Sequence, residues 1–353
     1  MDLSTKNPLY SQKRSVKMQN LVKKFKKNPS LFYSMSIAAT WAGAGSFIVG
    51  TKVAQEAGLI PWILWALGNS LTCIVFGLIA TRFKTVREVA NSRPIKLLMG
   101  FMAIFQIWLN MTGIFEMLEP TFIGKIPAYI IVYGLAIFFL VLYMKQATLR
   151  NVMTDNGSWS FVFILIFGLV VISLIANGFT GIPIGLDPEQ IRAKGWTCIT
   201  LMFGGFFYPT FWELLDYNEA NEDETQRIDM RKAFVNGGLL FGFYLLFVLL
   251  GACTTYLPAL DFIKAILVSL VAISTLSSFI YATFIDFGKK AGFVINVATF
   301  ALWAVLVPMG IMFIWNAMQN IRIWMVFGMF AIAIVKYFID KQKGQSDVRT
   351  EEK

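Results

Sequence analysis

Apolar residues in this chain fall in blocks of about twenty, divided by short polar loops, which is the spacing of membrane-crossing helices. Ten blocks can be read: 30–57, 60–82, 96–118, 126–145, 158–178, 195–216, 233–254, 260–286, 292–315 and 320–340. Main-chain polar groups in hydrocarbon must be satisfied within their own segment, so the pattern predicts helices, and the alternation of barrel strands is absent. The expected fold is an all-α, polytopic membrane protein with ten transmembrane helices.

Two blocks contain residues that a plain spanning helix avoids. The first reads "ATWAGAGSFIVG", with Gly43, Gly45 and Ser46 at its centre. Each glycine costs about 1 kcal/mol of helix propensity relative to alanine. The sixth reads "LMFGGFFYPTFWELL", with Gly204, Gly205 and Pro209 in its middle. An interior proline deletes a helix hydrogen bond and costs about 3 kcal/mol. Close packing through small residues would account for one such interruption. Two, at equivalent places in two five-span halves, point to an inverted repeat with helices 1 and 6 broken at half-depth. Because five is odd, the halves run with opposite topology. The expected layout is a basic tail (1–29), a first repeat (30–178), an outer loop (179–194), a second repeat (195–340) and a C-terminal tail (341–353).

A broken helix frees carbonyl oxygens at one half-helix end and N–H groups at the other, and these must meet a cavity or a ligand. Carbonyls suit a small cation; the N–H end suits an anionic group. The first stretch is not a dinucleotide loop, since Ile48 stands where a third glycine belongs and no strand precedes it.

Composition agrees with the pattern. Of 353 residues 57% are hydrophobic, including 33 Phe and 10 Trp, more apolar surface than a soluble domain of this length hides. The net charge of +10 is unevenly distributed. Eight basic residues lie in the first 29 and five more between Arg82 and Lys96. Only Lys52, Lys125, Arg192, Lys194, Lys264 and Arg322 fall toward the outside. That bias places both termini in the cytoplasm of a plasma (inner) membrane protein and speaks for lipid rather than nucleic acid as partner. The first 29 residues lack the apolar core of a signal peptide. Cys73, Cys198 and Cys253 fall inside spans as packing residues. The chain has no histidine, and nothing pairs a nucleophile with a base, so no enzyme is expected. Lys52 and Glu56 are expected to pair at i,i+4. The loop Asp216 to Lys232 reads as a solvated linker whose Asp216 and Glu219 lie near an inner gate. The segment from Gly178 to Lys194 is long enough for a short surface helix.

In the eighth block Ser274, Thr275 and Ser278 share a face with Val271. Hydroxyl and carbonyl oxygens are hard ligands that suit a hard cation such as sodium. Hydroxyls in membrane helices also bond back to their own carbonyls, the competing reading. In the third block Gln106 and Asn110 are one turn apart, a spacing that would let both face a solute held between the two interrupted helices.

These three stretches resemble the sodium:solute symporter family. Its corresponding first helix reads like the "ATWAGAGS" of this chain, its sixth like "GGFFYP", and its eighth like "STLSS" followed by Asp286 and Lys289. The resemblance implies the five-plus-five inverted-repeat core of the amino acid–polyamine–organocation superfamily. It implies a sodium site made by Ala38, Trp41 and Val271 carbonyls with Ser274 and Thr275 hydroxyls. It also implies a solute site near Gly43, Gly45, Ser46, Phe207 and Tyr208; spacing adds Gln106 and Asn110. Family helices outside the ten-span core have no counterpart here, and the acidic residue some members carry in the first helix is missing.

The expected function is sodium-coupled symport of a small neutral or zwitterionic solute by alternating access, with sodium as coupling ion. The alternatives are a sodium-independent or proton-coupled exchanger or facilitator on the same fold (the proton carried by Glu213 or Glu116) and a non-transporting sensor or exclusion protein. Oligomeric state is left open.

Overall fold

The structure, a computed structural model, describes residues 29–146, 161–219 and 227–351; the basic tail, part of the link between the fourth and fifth blocks, and the acidic centre of the 216–232 loop lie outside these residues. Every described element is helical. The first block is α1 (Pro29–Trp41) and α2 (Ala44–Lys52), followed by a π-helical turn, Val53–Ala57. Then come α3 (Leu59–Ala80), a short α4 (Lys84–Ala90), α5 (Arg93–Leu118), α6 (Lys125–Gln146) and α7 (Phe161–Asn177). The sixth block is α8 (Pro188–Met202), a 3-10 turn at Gly204–Phe207, and α9 (Pro209–Glu219). The chain continues through α10 (Met230–Ala252), α11 (Pro258–Phe287), α12 (Lys289–Leu306), a 3-10 turn at Val307–Met309 and α13 (Gly310–Glu351).

Among the described residues six helical runs are long and apolar enough to cross a bilayer, seven if the bent pair α1–α2 counts as one. This is an integral membrane protein. One of the six, Lys289–Lys341, has 53 residues and would be about 80 Å long if straight, far beyond a bilayer core of about 30 Å. It folds back instead. Trp108 Nε1 donates to the Thr299 carbonyl (2.8 Å) and Trp303 Nε1 to Thr112 Oγ1 (3.0 Å), so α12 runs parallel to α5. At the far end of α5 Glu116 Oε1 accepts from Ile311 N (2.7 Å), while Lys336 Nζ reaches Glu88 ahead of α5 (2.6 Å), so α13 runs antiparallel. The reversal falls at Pro308 and Gly310 (φ 78°), earlier than the boundary expected between 315 and 320. Hydropathy runs unbroken across this turn; only its proline and glycine mark it.

Other expectations shift too. Helix α8 starts at Pro188, capped by Asp187, whose side chain accepts from Glu189 N (3.0 Å). Residues 188–194 are thus the first turns of the sixth block, not a separate surface helix. Lys52 does not pair with Glu56: its Nζ lies 3.3 Å from Glu116 Oε2. The π turn at Val53–Ala57 rotates Glu56 off the face that i,i+4 spacing would give it.

The long helices α5 and α11 pack along each other at the centre, with α3 and α10 beside them and α8 against α3, as α1 lies against α10. Small residues permit this. A Cβ on Gly68 would lie 2.7 Å from Cys198 Cα, and one on Gly238 2.7 Å from the Ser70 carbonyl. The three cysteines are free.

Candidate solute and ion site between two broken helices

The first block breaks after Trp41, its two halves bent by 57°. The groups freed there find side-chain partners from distant helices. Gly43 N donates to Thr275 Oγ1 (3.0 Å), and that hydroxyl donates to the Thr40 carbonyl (3.1 Å). Ser274 Oγ reaches the Val271 carbonyl (2.8 Å) and the Ala39 carbonyl (3.3 Å). On the α2 side Ser46 Oγ donates back to the Gly43 carbonyl (2.7 Å), and no side chain caps the new helix start.

The sixth block breaks between Met202 and Pro209. Proline cannot supply the hydrogen bond a continuous helix needs, and Gly204 and Gly205 let the 3-10 turn sit close to its neighbours. A Cβ on Gly205 would lie 3.1 Å from Phe76 Cβ. Trp212 Nε1 donates to the Phe206 carbonyl (2.9 Å), and Thr72 Oγ1 donates to the Leu201 carbonyl. Tyr208 Oη then joins the two breaks by donating to the Thr40 carbonyl (2.6 Å).

Between the breaks lies a cavity of ≈ 20 Å³, room for one water-sized particle. Six of the seven expected solute residues line it: Gly43, Gly45, Ser46, Gln106, Asn110 and Tyr208. Phe207 does not; it is buried elsewhere in the core. Phe207 ends the 3-10 turn whereas Tyr208 is already extended (φ −112°, ψ 97°), so the two side chains leave the backbone in different directions. Trp41 and Thr275, expected at the ion site, also line the cavity, so the two sites adjoin. Every lining residue is buried.

The expected ion ligands are brought together with a shift of register. Ser274, Thr275 and the Val271 carbonyl converge, but on the Ala39 and Thr40 carbonyls. The Ala38 carbonyl is spent on a helical bond from Ala42 N (3.0 Å). The donors that meet here are neutral oxygens, chemistry that fits a monovalent cation. Among the described residues no three His, Cys, Asp or Glu side chains come together as a metal site.

Four lining residues lay outside the sequence reading: Asn69, Leu109, Trp315 and Arg322. Arg322 was expected toward the outer surface, yet it is 2% exposed. Hydropathy alone starts its block at residue 320. Helix α13 begins at Gly310, which sets Arg322 twelve residues in, about 18 Å along a bilayer core of about 30 Å. An ionisable residue inside an apolar block is the signal that could have found it.

At one end of the bundle Arg87 on α4 forms ion pairs with Asp216 and Glu219 on α9, and Glu88 pairs with Lys336 (2.6 Å). Lys336 draws the Glu88 carboxyl below its ordinary value, chiefly through that hydrogen bond. Asn218 also bonds both main-chain groups of Ile228 (2.9 and 3.0 Å), so the ends of the 216–232 linker are structured. At the opposite end Glu116 holds Lys52 and Ile311 N.

No family model and no curated protein sequence matches the chain. Among solved structures it is similar to a manganese transporter of Eremococcus coleocola, crystallised in complex with an aromatic bis-isothiourea substituted compound. The two are 12% identical, with a TM-score of 0.42, over 88% of this chain and 78% of that one.

Proposed function

We propose that this protein is a secondary transporter that carries a small organic solute between its two broken helices, the water-sized cavity there widening in another state of the cycle to admit it. The observation that carries the reading is the buried space framed by Gly43, Asn110 and Tyr208 where both helix ladders are interrupted. A protein that only anchors or senses has no use for two helices opened at such cost around one hollow.

The helix packing supports ten passes in two inverted repeats. If each span corresponds to the one five later, contacts should recur with that shift; the most extensive do, whereas those of α13 with α8 and α2 and of α10 with α7 have no comparable partner among the described residues. The α3–α8 contact matches α10–α1, α5–α6 matches α11–α12, α6–α11 matches α12–α5, and α5–α13 matches α11–α7. The pairs α5–α11 and α3–α10 map onto themselves. Membership of the sodium:solute symporter family, with cytoplasmic termini in a plasma membrane, belongs to this same proposal.

Sodium is the proposed coupling ion, at Ser274 and Thr275 with main-chain oxygens of the first block and Val271. Entry of one ion down about 100 mV supplies about 2.3 kcal/mol. A tenfold gradient adds about 1.4 kcal/mol. Together these would hold a neutral solute roughly 500-fold concentrated. The bonds of Thr275 to Gly43 N and the Thr40 carbonyl favour a second reading, since they satisfy the break without an ion: a sodium-independent facilitator on the same fold. Thermal melting of the purified protein in sodium against potassium chloride separates them. Sodium-specific stabilisation that disappears in S274A/T275A is expected; equal melting in both salts leaves the facilitator.

A further inference from the structure

We infer that the solute carries a carboxylate and that Arg322 is the residue that recognises it. The inference rests on the cavity being the solute site, and it names the chemistry of what binds there.

Arg322 on α13 lines the cavity and is 2% exposed. Its Nε and Nη1 have no hydrogen-bond partner, and Nη2 reaches only the weak acceptor Met318 Sδ (3.3 Å). Among the described residues no carboxylate forms an ion pair with it. Its other contacts are the face of Trp41, 5.8 Å from the ring centroid, and Gly204, where a Cβ would lie 3.0 Å from Nη1.

A buried charge with unfilled donors is costly unless something pairs with it. The neighbouring group tells what that is. Trp41 Nε1, also buried on the cavity wall, is likewise unpartnered, and both groups are donors with no capacity to accept. A neutral polyol could accept through its hydroxyl oxygens but would leave the buried guanidinium charge uncompensated. A metal cation would be repelled. A carboxylate is an acceptor only, matches the planar guanidinium fork, and removes the net charge of the site as it enters. The competing role is structural: Arg322 beside Gly204 could neutralise the C-terminal dipole of α8.

The test measures melting of the purified full chain at constant sodium and ionic strength. The probes are acetate, L-lactate and L-alanine, their amides (acetamide, lactamide and alaninamide), and inorganic phosphate. At least one carboxylate should raise the melting temperature by several degrees while its amide does not. R322M should abolish the response, R322K weaken the apparent affinity at least tenfold, and W41F weaken it a few-fold. Without probe R322M should melt at or above wild type, because it removes an unpaired buried charge. The inference is overturned if no carboxylate stabilises the protein, if an amide or phosphate alone does so, or if R322M responds like wild type. It is also overturned if R322M melts lower without probe and R322K restores it, the signature of a dipole counter-charge. An amide response lost in N110A would sink the carboxylate but keep the solute cavity. Silence from every probe, with none taken up by proteoliposomes, would remove both.

Discussion

Thr275 Oγ1 accepts the Gly43 amide hydrogen at 3.0 Å across 232 residues of sequence. The same hydroxyl donates to the Thr40 carbonyl, so one side chain of α11 closes both sides of the first break. Removing it strands a buried N–H and weakens the hold on a buried carbonyl, at about 1–3 kcal/mol for an unsatisfied group. T275V, nearly isosteric, should therefore lower the melting temperature by several degrees, and T275S should recover most of the loss. A T275V protein that melts with wild type would mean the break is satisfied by some other group.

The close approach at Gly43 makes a sharper prediction. A Cβ there would sit 2.8 Å from Asn110 Oδ1 and 3.2 Å from Thr275 Cγ2, both buried and both on the cavity wall. G43A should abolish solute binding or folding. Gly134 on α6 meets nothing within 4 Å, so G134A should melt at or slightly above wild type, the propensity gain being at most about 1 kcal/mol. Equal behaviour of the two variants, read by melting and solute binding, would remove the steric argument.

The contrast between these glycines bears on what a sequence can disclose. The breaks were legible because Gly43, Gly45, Gly204 and Pro209 violate helix propensity inside apolar blocks, and a rule broken in mid-membrane is local information. The hydroxyl face of α11 was legible through its periodicity. Register was not: which carbonyls meet Ser274 and Thr275 depends on how far α1 slides along α11, and no local pattern encodes that. Arg322 was misplaced for a related reason. Apolar residues continue through Val307–Gly310, so the turn that sets the depth of Arg322 hides inside one hydropathy plateau. Long-range partners such as Glu116 for Lys52 were equally beyond spacing rules, which see only neighbours three or four residues away.

Arg87 ties α4 to α9 through Asp216 and Glu219, and α9 continues directly from the second break. In an alternating-access cycle such a tie holds that end of the bundle shut. Each partly exposed pair is worth about 0.2–1 kcal/mol, so R87A should favour the state open at this end by about 2- to 30-fold. With the three native cysteines replaced, S46C should react faster with a small charged thiol reagent in R87A than with Arg87 intact. Unchanged labelling would show that the pairs do not gate.

The neighbouring tie, Glu88 to Lys336, should respond to acid. Glu88 is held below its ordinary value when folded, so its contribution is complete above the unfolded pKa of about 4.3 and is lost as pH falls through the lower folded value. E88Q should therefore melt slightly below wild type at neutral pH and converge with it in strong acid. A difference that persists unchanged into acid would assign the effect to something other than this pair.

Glu116 joins three helices at the opposite end, and its two oxygens do separable work. Oε1 accepts from Ile311 N at the start of α13, whereas Oε2 meets Lys52 at the end of α2. Glutamine keeps an acceptor for Ile311 N and gives up the ion pair; alanine gives up both. The exposed side of that pair limits it to about 1 kcal/mol, while an orphaned amide costs about 1–3 kcal/mol. E116A should thus be clearly less stable than E116Q, and E116Q close to wild type. The same pair of variants decides whether Glu116 carries a proton during transport. If it did, E116Q, which cannot titrate, would lose pH-driven uptake of the solute identified by melting. With Glu116 serving as a clamp, E116Q keeps uptake at every pH at which wild type has it, and only E116A falls away.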